Sequence, residues 1–263
     1  MCGRYVLVQK LEVIEKRFNV EAPKGLEWKA SYNISPGQSA LVISSEYPNY
    51  IEKMQFGLTP FWAKKAMYLF NAREEGDRNK ENNPSYSGAK DIINKPSFRK
   101  PIRSQRCLVI ADAFIEGTTA DGLDKPYLVY LKNKERPFAM AGIFDEWRNT
   151  KDGSVIRSFS IITTTSNALM LQLPHQRMPV ILSKGQEQRW LNLKTPLADI
   201  TKMLNSYDAN LMNAYSISSE VSSSRNNYKE LINPLSPPIY GENELRVDHS
   251  LHLQGMGSRK KLQ

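Results

Sequence analysis

Cys2 is the residue with the most distinctive chemistry, because it directly follows the initiator Met1. Removal of Met1 would leave Cys2 with an α-amine and a thiol on adjacent carbons. Reference pKa values are about 7.7–8.0 for the amine and about 8.5 for the thiol, so both keep a nucleophilic fraction at neutral pH. An aldehyde can form a Schiff base with the amine, and the thiol can then close a thiazolidine ring. The pair predicts aldehyde capture; the alternative is a cysteine that only happens to follow the start codon.

A second chemical signal is the mixture of cations and aromatic rings between Glu52 and Arg106. This region has twelve Lys or Arg residues against six Asp or Glu residues, in a chain of formal net charge +9. Its aromatic residues are Phe56, Phe61, Trp62, Tyr68, Phe70, Tyr86 and Phe98. Cations bind phosphates and flat rings stack on unpaired bases, so the mixture is typical of single-stranded nucleic acid binding. The alternative is a solvated basic face above core aromatics.

Short strands and a few helices must position these residues. Strand-like runs occur at 3–8, 40–44, 107–111, 127–131, 138–143, 158–163 and 178–182, and helical patterns at 11–18, 186–191 and 197–204. The polar stretch 74–106 predicts a long surface excursion. We therefore predict one α+β domain at 1–235, with a mainly antiparallel sheet closed as a barrel, and an irregular or disordered tail at 236–263.

Composition excludes several classes of protein. No run approaches the roughly 20 apolar residues of a membrane span, and no secretory signal precedes the domain. Two cysteines form no disulfide framework, which fits a cytoplasmic protein, and Cys107 in its apolar run is expected to be buried. His249 and His252 have no further Cys or His nearby, and no glycine-rich loop is present. We predict no metal, no cofactor and no membrane partner.

Eight motifs, in order along the chain, resemble those of the SRAP family. They are MCGRY at 1–5, YNISPGQ at 32–38, FGLTPFWAKK at 56–65, NAREE at 71–75, RCLVIADAFIEG at 106–117, AGIFDEW at 141–147, FSIITTTSN at 159–167 and HQRMPVIL at 175–182. Asn226 and Asn227, ahead of Pro234, resemble the family's closing motif. The family was first named SOS-response-associated peptidase. Its members shield abasic sites in single-stranded DNA through a covalent DNA–protein crosslink, and the resemblance implies that fold and activity here.

The resemblance also implies catalytic roles for four residues. Cys2 would supply both nucleophiles. Glu116 matches the active-site glutamate, which accepts a proton or stabilises the cationic imine; a surface carboxylate is the alternative. His175 matches the family histidine, a general acid/base for opening the sugar ring. Asn71 matches an asparagine whose amide lies beside the cysteine and the sugar.

Four further residues match positions that contact DNA in the family. Arg73 and Arg4 would bind phosphates through bidentate hydrogen bonds. Pro36 and Trp62 would lie beside the bound strand and stack against a base, with a core role as the alternative.

The chain departs from the family pattern around its glutamate. Gly117 stands where an aromatic residue is common, Ile115 where Tyr is common, and Phe56 where Trp is common. These differences concern the stacking surface more than the covalent chemistry.

The sequence thus predicts a cytoplasmic monomer that associates with the nucleoid when bound to DNA and crosslinks to abasic sites in single-stranded DNA. Closing the thiazolidine would remove the imine and suppress the β-elimination by which a lyase cleaves the strand. One alternative is a cysteine peptidase, limited to release of its own N-terminus, with Cys2 as nucleophile, His175 as base and Glu116 as orienting residue. The other is a module that binds single-stranded DNA without a covalent step.

Overall fold

Buried strands form most of the structure, a computed structural model that describes residues 3–132, 136–241, 245–246 and 258–259. The strands are β1 (Arg4–Leu7), β2 (Ser31–Ile34), β3 (Ser39–Ser44), β4 (Glu52–Phe56), β5 (Asn71–Arg73), β6 (Arg106–Ala111), β7 (Ala113–Thr118), β8 (Gly122–Leu131), β9 (Phe138–Arg148), β10 (Val155–Thr165), β11 (Arg177–Pro179), β12 (Ile181–Leu182), β13 (Met212–Ser216), β14 (Leu245–Arg246) and β15 (Ser258–Arg259). The helices are α1 (Leu11–Phe18), α2 (Pro101–Ser104), α3 (Ala168–Gln172), α4 (Lys184–Leu191) and α5 (Leu197–Lys202), with 3₁₀ turns at Asp91–Ile93, Ala209–Leu211, Ser219–Ser222 and Lys229–Ile232.

One sheet closes into a barrel. Strand β10 pairs with β4, followed by β3, β6 and β9, and β9 returns to pair with β10. Among the described strands of this sheet, only the pairings of β10 with β4 and with β5 are parallel. Every residue of β6 is buried, as expected for an apolar run covered on both faces. The predicted α+β fold with a mainly antiparallel barrel is confirmed.

A second sheet, in the order β13-β8-β7-β1-β2, packs against the barrel. Tyr5 of β1 meets the ring of Phe56 in β4 edge-on, with centroids 5.6 Å apart, and Phe56 stacks on Phe159 at 5.2 Å. The register of β1 against β7 places Arg4 opposite Ile115. The start of β1 therefore lies beside Glu116, one residue further along β7.

Gly117 shapes the turn that joins β7 to β8. A Cβ at this position would lie 1.6 Å from the carbonyl oxygen of Gly122, so no other residue fits without moving the turn. The pairing register shifts between Gly117 and Thr118, which is where the hairpin bends. The absence of an aromatic side chain here thus lets the turn fold close against the strand.

Much of the segment 74–106 is exposed, as predicted for a surface excursion, but buried residues anchor both of its ends. Glu74, Glu75, Ile92 and Ile102 are buried, and Arg106 is 1% exposed at the start of β6. The buried charged groups of this segment pair with other charged groups or donate to carbonyl groups inside the protein, which a polar composition alone does not reveal.

The Arg106 guanidinium joins the ends of two helices. It donates to the carbonyls of Trp190 and Asn192 at the end of α4, at 2.6 and 2.9 Å. It also donates to those of Ile102 and Arg103 in α2, at 3.0 and 2.6 Å. Burial lowers the pKa of Arg106 to about 10, and the negative ends of the helix dipoles offset part of the free-energy cost of burying its charge.

Three other sequence predictions concern Cys107, membrane spans and the tail. Cys107 is fully buried, as predicted, and burial raises the pKa of its thiol well above the ordinary value. Among the described residues, no helix is long and apolar enough to cross a membrane. Residues 236–241 have neither helix nor strand, and the domain boundary at 235 stays a prediction because most of the tail lies outside the described residues.

Candidate functional site

A cleft of about 450 Å³ opens where the start of β1, the end of β7 and the segment leading into β11 meet. It brings together four of the predicted site residues: Arg4, Pro36, Glu116 and His175. Gly3, the residue that follows Cys2 in the sequence, also lines it, whereas Cys2 itself lies outside the described residues. A larger cavity of about 730 Å³ lies between α1 and α4 and contains none of the predicted residues. Within the described ranges, no group of three His, Cys, Asp or Glu side chains could hold a metal.

Glu116 and His175 form a buried pair on the wall of this cleft. The Nε2 atom of His175 lies 3.2 Å from Oε2 of Glu116, and the two side chains are 6% and 3% exposed. The Nδ1 atom of His175 lies 2.7 Å from the carbonyl oxygen of Gly117. A carbonyl only accepts, so Nδ1 must carry a hydrogen and donate it. The 3.2 Å contact between Nε2 and the carboxylate then needs a second proton, held by one partner or the other.

The pair therefore holds one transferable proton. Burial lowers the pKa of His175, and the charge of Glu116 opposes that shift. Because both groups are removed from water, the proton can pass between them or to a bound molecule without a large solvent rearrangement. Glu116 is not a surface carboxylate, so that alternative is wrong.

The backbone around His175 is fixed on both sides. Its N–H donates to the carbonyl of Met170 at the end of α3, at 3.0 Å, and its own carbonyl accepts from Oγ of Ser166 at 2.6 Å. The N–H of Thr119, in the turn after Gly117, donates to the carbonyl of Pro174 at 2.9 Å. The β7–β8 turn and the histidine segment are thus tied together, which holds the ring against Glu116.

A buried ionic network lies at the edge of the cleft. Arg177, which lines the cleft, binds Glu75 through both guanidinium nitrogens, with Nη2–Oε2 at 3.0 Å, and it also donates to the carbonyl of Thr163. Burial alone would raise the pKa of Glu75, but the hydrogen bonds and charge of Arg177 outweigh it, and the net pKa is lowered. Arg73 lies 3.6 Å from the same carboxylate and donates to Oδ1 of Asn82 at 3.0 Å. Two arginines share one carboxylate, which leaves this edge positively charged.

Two predicted residues lie close to the cleft. Arg4 donates to the carbonyls of Val221 and Ser222, at 3.4 and 2.9 Å, and burial lowers its pKa. Asn71 lies in β5 directly after Phe70, which lines the cleft, and its Nδ2 donates to the Phe70 carbonyl at 3.0 Å.

The two predicted stacking residues differ in position. Pro36 is half-buried and lines the cleft, whereas Trp62 projects from the loop of residues 57–70 and is 48% exposed. Trp62 is therefore not a core residue. Sequence reasoning missed Arg177 and Glu75 as neighbours of the site; the signal was their place within the HQRMPVIL and NAREE motifs.

Comparison with known proteins gives consistent matches over most of the chain. The family model described as SOS response associated peptidase (SRAP) matches residues 1–224. The abasic site processing protein YoqW of Bacillus subtilis is 40% identical over 240 residues, covering 88% of this chain and 99% of the relative. The abasic site processing protein HMCES of Pongo abelii is 28% identical over an alignment of 284 positions, which covers 89% of this chain and 76% of the relative. A crystal structure of a protein from Bacteroides thetaiotaomicron matches with a TM-score of 0.72 and 27% identity, covering 86% of this chain and 97% of that one.

Proposed function

Because the chain belongs to the SRAP family, we propose that it processes abasic sites in single-stranded DNA by forming a covalent thiazolidine link through Cys2. The observation that supports this most directly is the buried Glu116–His175 pair in the same cleft as Gly3. One peptide bond joins Gly3 to Cys2, and the proposal requires Cys2 to become the N-terminal residue. An abasic site supplies the electrophile, since its sugar is in equilibrium with a ring-opened aldehyde.

The Glu116–His175 pair can supply and accept the protons that the reaction moves. Ring opening transfers a proton to the ring oxygen while the C1′ hydroxyl loses one, and the Glu116–His175 pair can give and take that proton. The Cys2 amine then adds to the C1′ aldehyde, and water leaves to form the iminium ion, which the carboxylate of Glu116 stabilises. The Glu116–His175 pair supplies the proton with which the hydroxyl leaves as water, and the Cys2 thiol returns a proton to the pair as its sulfur adds to C1′ to close the ring. No oxidant or further co-reactant is needed.

The thiol protects the DNA strand. An iminium at C1′ acidifies the C2′ protons and permits β-elimination of the 3′ phosphate. Ring closure removes the iminium and stops that path. Arg73 and Arg4 would bind phosphates on either side of the sugar, the buried Arg177 adds positive charge to this edge of the cleft, and Pro36, Trp62 and Asn71 complete the proposed contacts.

A denaturing gel tests the proposal. The protein, with its N-terminal cysteine verified by mass spectrometry, is incubated with single-stranded DNA carrying one abasic site, beside an intact control. We expect a heat-stable shifted band that needs the abasic site, that is lost in Cys2→Ser, and that forms about 10²–10⁴-fold more slowly in His175→Gln. Cys107→Ser is the matched control. Because Cys107 is fully buried, this variant should still form the shifted band. A heat-stable adduct in Cys2→Ser would refute the thiazolidine.

An autopeptidase that releases Met1 is the second candidate, because a His–Glu contact of 3.2 Å can also activate a thiol. The test is the N-terminal mass of Glu116→Gln. Retention of Met1 in this variant alone would support self-processing, whereas its removal would assign that step to a host aminopeptidase.

A further inference from the structure

A group of cations and aromatic rings lies beyond the cleft, on the loop of residues 57–70 and around α2. We call it the outer basic surface and define it as Phe61, Trp62, Lys64, Lys65, Arg99, Lys100 and Arg103. Arg99, Lys100 and Arg103 line an open hollow of about 490 Å³, and no carboxylate lines it.

Two carboxylates of the same segment pair with other cations. Asp77 pairs with Lys95, and Asp91 pairs with Arg78 at 3.5 Å. Within the part of the chain that the structure describes, the three cations of the hollow form no ion pair. A hollow with three uncompensated cations fits a polyanion better than it fits a protein face of mixed charge.

The aromatic members are held in exposed positions. Phe61 and Trp62 are 53% and 48% exposed, and Nζ of Lys100 lies 4.5 Å above the Phe61 ring. The loop that carries them is rigidly anchored: the N–H of Phe61 donates to Asp145 at 2.9 Å, and Leu58 pairs with Leu69. Exposed rings that the fold holds in place can stack on bases without a large loss of conformational entropy.

The outer basic surface is continuous with the cleft. The 57–70 loop ends at Phe70, which lines the cleft. Near that end, Tyr68 is 55% exposed and packs beside Gly37, the residue after Pro36. Trp62 and Phe61 lie on the same loop as Tyr68, and Lys100 of the hollow contacts the Phe61 ring, so this loop connects the cleft with the hollow.

We propose that the outer basic surface binds the sugar-phosphate backbone and bases of the DNA that flanks the abasic site. The inference rests on the proposed function for the identity of the nucleic acid, but not on the crosslink. It makes a separate claim: affinity depends on strand length beyond the cleft, and the extra affinity comes from these cations.

Fluorescence anisotropy tests this with single-stranded oligonucleotides that carry a tetrahydrofuran abasic analogue, which cannot open to an aldehyde. Wild type should bind an oligonucleotide of about 20 nucleotides more tightly than one of about 5, which fills only the cleft. The triple variant Arg99→Gln/Lys100→Gln/Arg103→Gln should lose that gain. The slope of its log Kd against log salt concentration should be smaller by about 2 than that of the wild type. Raising the salt from 50 to 200 mM should therefore weaken binding by the variant about 15-fold less than it weakens binding by the wild type.

Two further variants keep the test decisive. Arg103 donates to the carbonyl of Ile93 at 2.8 Å, so Lys64→Gln/Lys65→Gln, on the exposed loop, checks the result without that bond and should lower the slope by about 1. The matched control Lys16→Gln/Lys24→Gln/Lys194→Gln removes three exposed cations elsewhere and should leave the length dependence unchanged.

The outcomes separate the two proposals. Length dependence that survives in both surface variants, or that falls equally in the control, overturns the outer basic surface. Loss of the length dependence in the surface variants supports it, even if the wild type forms no crosslink on genuine abasic DNA, which would overturn the proposed function alone.

Discussion

Replacing Glu75 by Gln should destabilise the protein far more than the polar sequence around it suggests. Glu75 is 0% exposed and Arg177 is 5% exposed, so the substitution leaves a guanidinium buried without its counter-charge. Removing one partner of a buried ion pair lowers the free energy of unfolding by about 3–5 kcal/mol. Arg177 keeps its hydrogen bonds to the carbonyl and hydroxyl of Thr163, at 3.0 and 3.1 Å, so we expect about 3 kcal/mol.

The chain offers a matched control on its surface. Glu46 pairs with Arg157 at 2.6 Å, but the Glu46 side chain is 53% exposed. Glu46→Gln should change the free energy of unfolding by only about 0–1 kcal/mol. Urea denaturation followed by tryptophan fluorescence measures both variants, and an unchanged m-value shows that the comparison is between like states.

A double variant separates the loss of the ion-pair attraction from the cost of leaving the Arg177 charge buried without a counter-charge. Arg177→Met removes the charge and keeps a long apolar side chain, so Glu75→Gln/Arg177→Met should recover about 2 kcal/mol of the loss in Glu75→Gln. A loss in Glu75→Gln no larger than in Glu46→Gln, or a double variant less stable than the single, would refute the reasoning. Either result would mean that the network at the cleft edge is hydrated.

Three other predictions concern single residues. Gly117→Ala should lower the free energy of unfolding by about 1–3 kcal/mol, because the added Cβ would meet the Gly122 carbonyl. Gly185→Ala in α4, where the added Cβ has open space, should raise the free energy of unfolding by about 0.5–1 kcal/mol. Thermal denaturation compares the two variants, and equal effects would contradict the clash. Cys107 should not react with a disulfide reagent at pH 8 in folded Cys2→Ser but should react fully in urea, because burial raises its pKa; labelling of the folded protein would show an open core. Burial raises the pKa of Asp112 to about 6, so the folded state keeps a proton that the unfolded state releases near pH 3.9, and stability falls as pH rises between these values. Asp112→Asn should remove up to about 3 kcal/mol of this change in the free energy of unfolding with pH, as measured by urea titrations at several pH values. An unchanged pH profile in the variant would mean that another group causes the pH dependence.

Periodicity in the sequence predicted the apolar part of the fold. The helix at 11–18 matches α1, and the apolar run at 107–111 matches β6 to within one residue. Strand β7 was missed because Glu116 interrupts its apolar pattern, although the strand is buried throughout. Its glutamate is accommodated by His175, which only the folded chain brings near.

The site was predictable where a motif carries it and hidden where distant parts of the chain meet. Glu116 and His175 were identified from the resemblance, and the structure places them in contact. Arg177 and Glu75 are 102 residues apart, and no local pattern shows that each neutralises the other. The burial of Glu75 and Arg106 in the 74–106 segment was hidden for the same reason, since both find partners beyond the segment.

The position of β1 in its sheet has a mechanical consequence. A covalent link at Cys2 would transmit any pull on the DNA into the fold through β1, whose hydrogen bonds run to β2 on one side and to β7 on the other. Ladder bonds in antiparallel pairs lie perpendicular to the strand, so tension along β1 loads them together in shear rather than opening them one at a time. The guanidinium of Arg4, bonded to the Ser222 carbonyl at 2.9 Å, adds a side-chain anchor at the point where the load enters. The end of the chain at which the proposed link forms is thus held in the interior of a sheet, where the strands on both sides would share the tension.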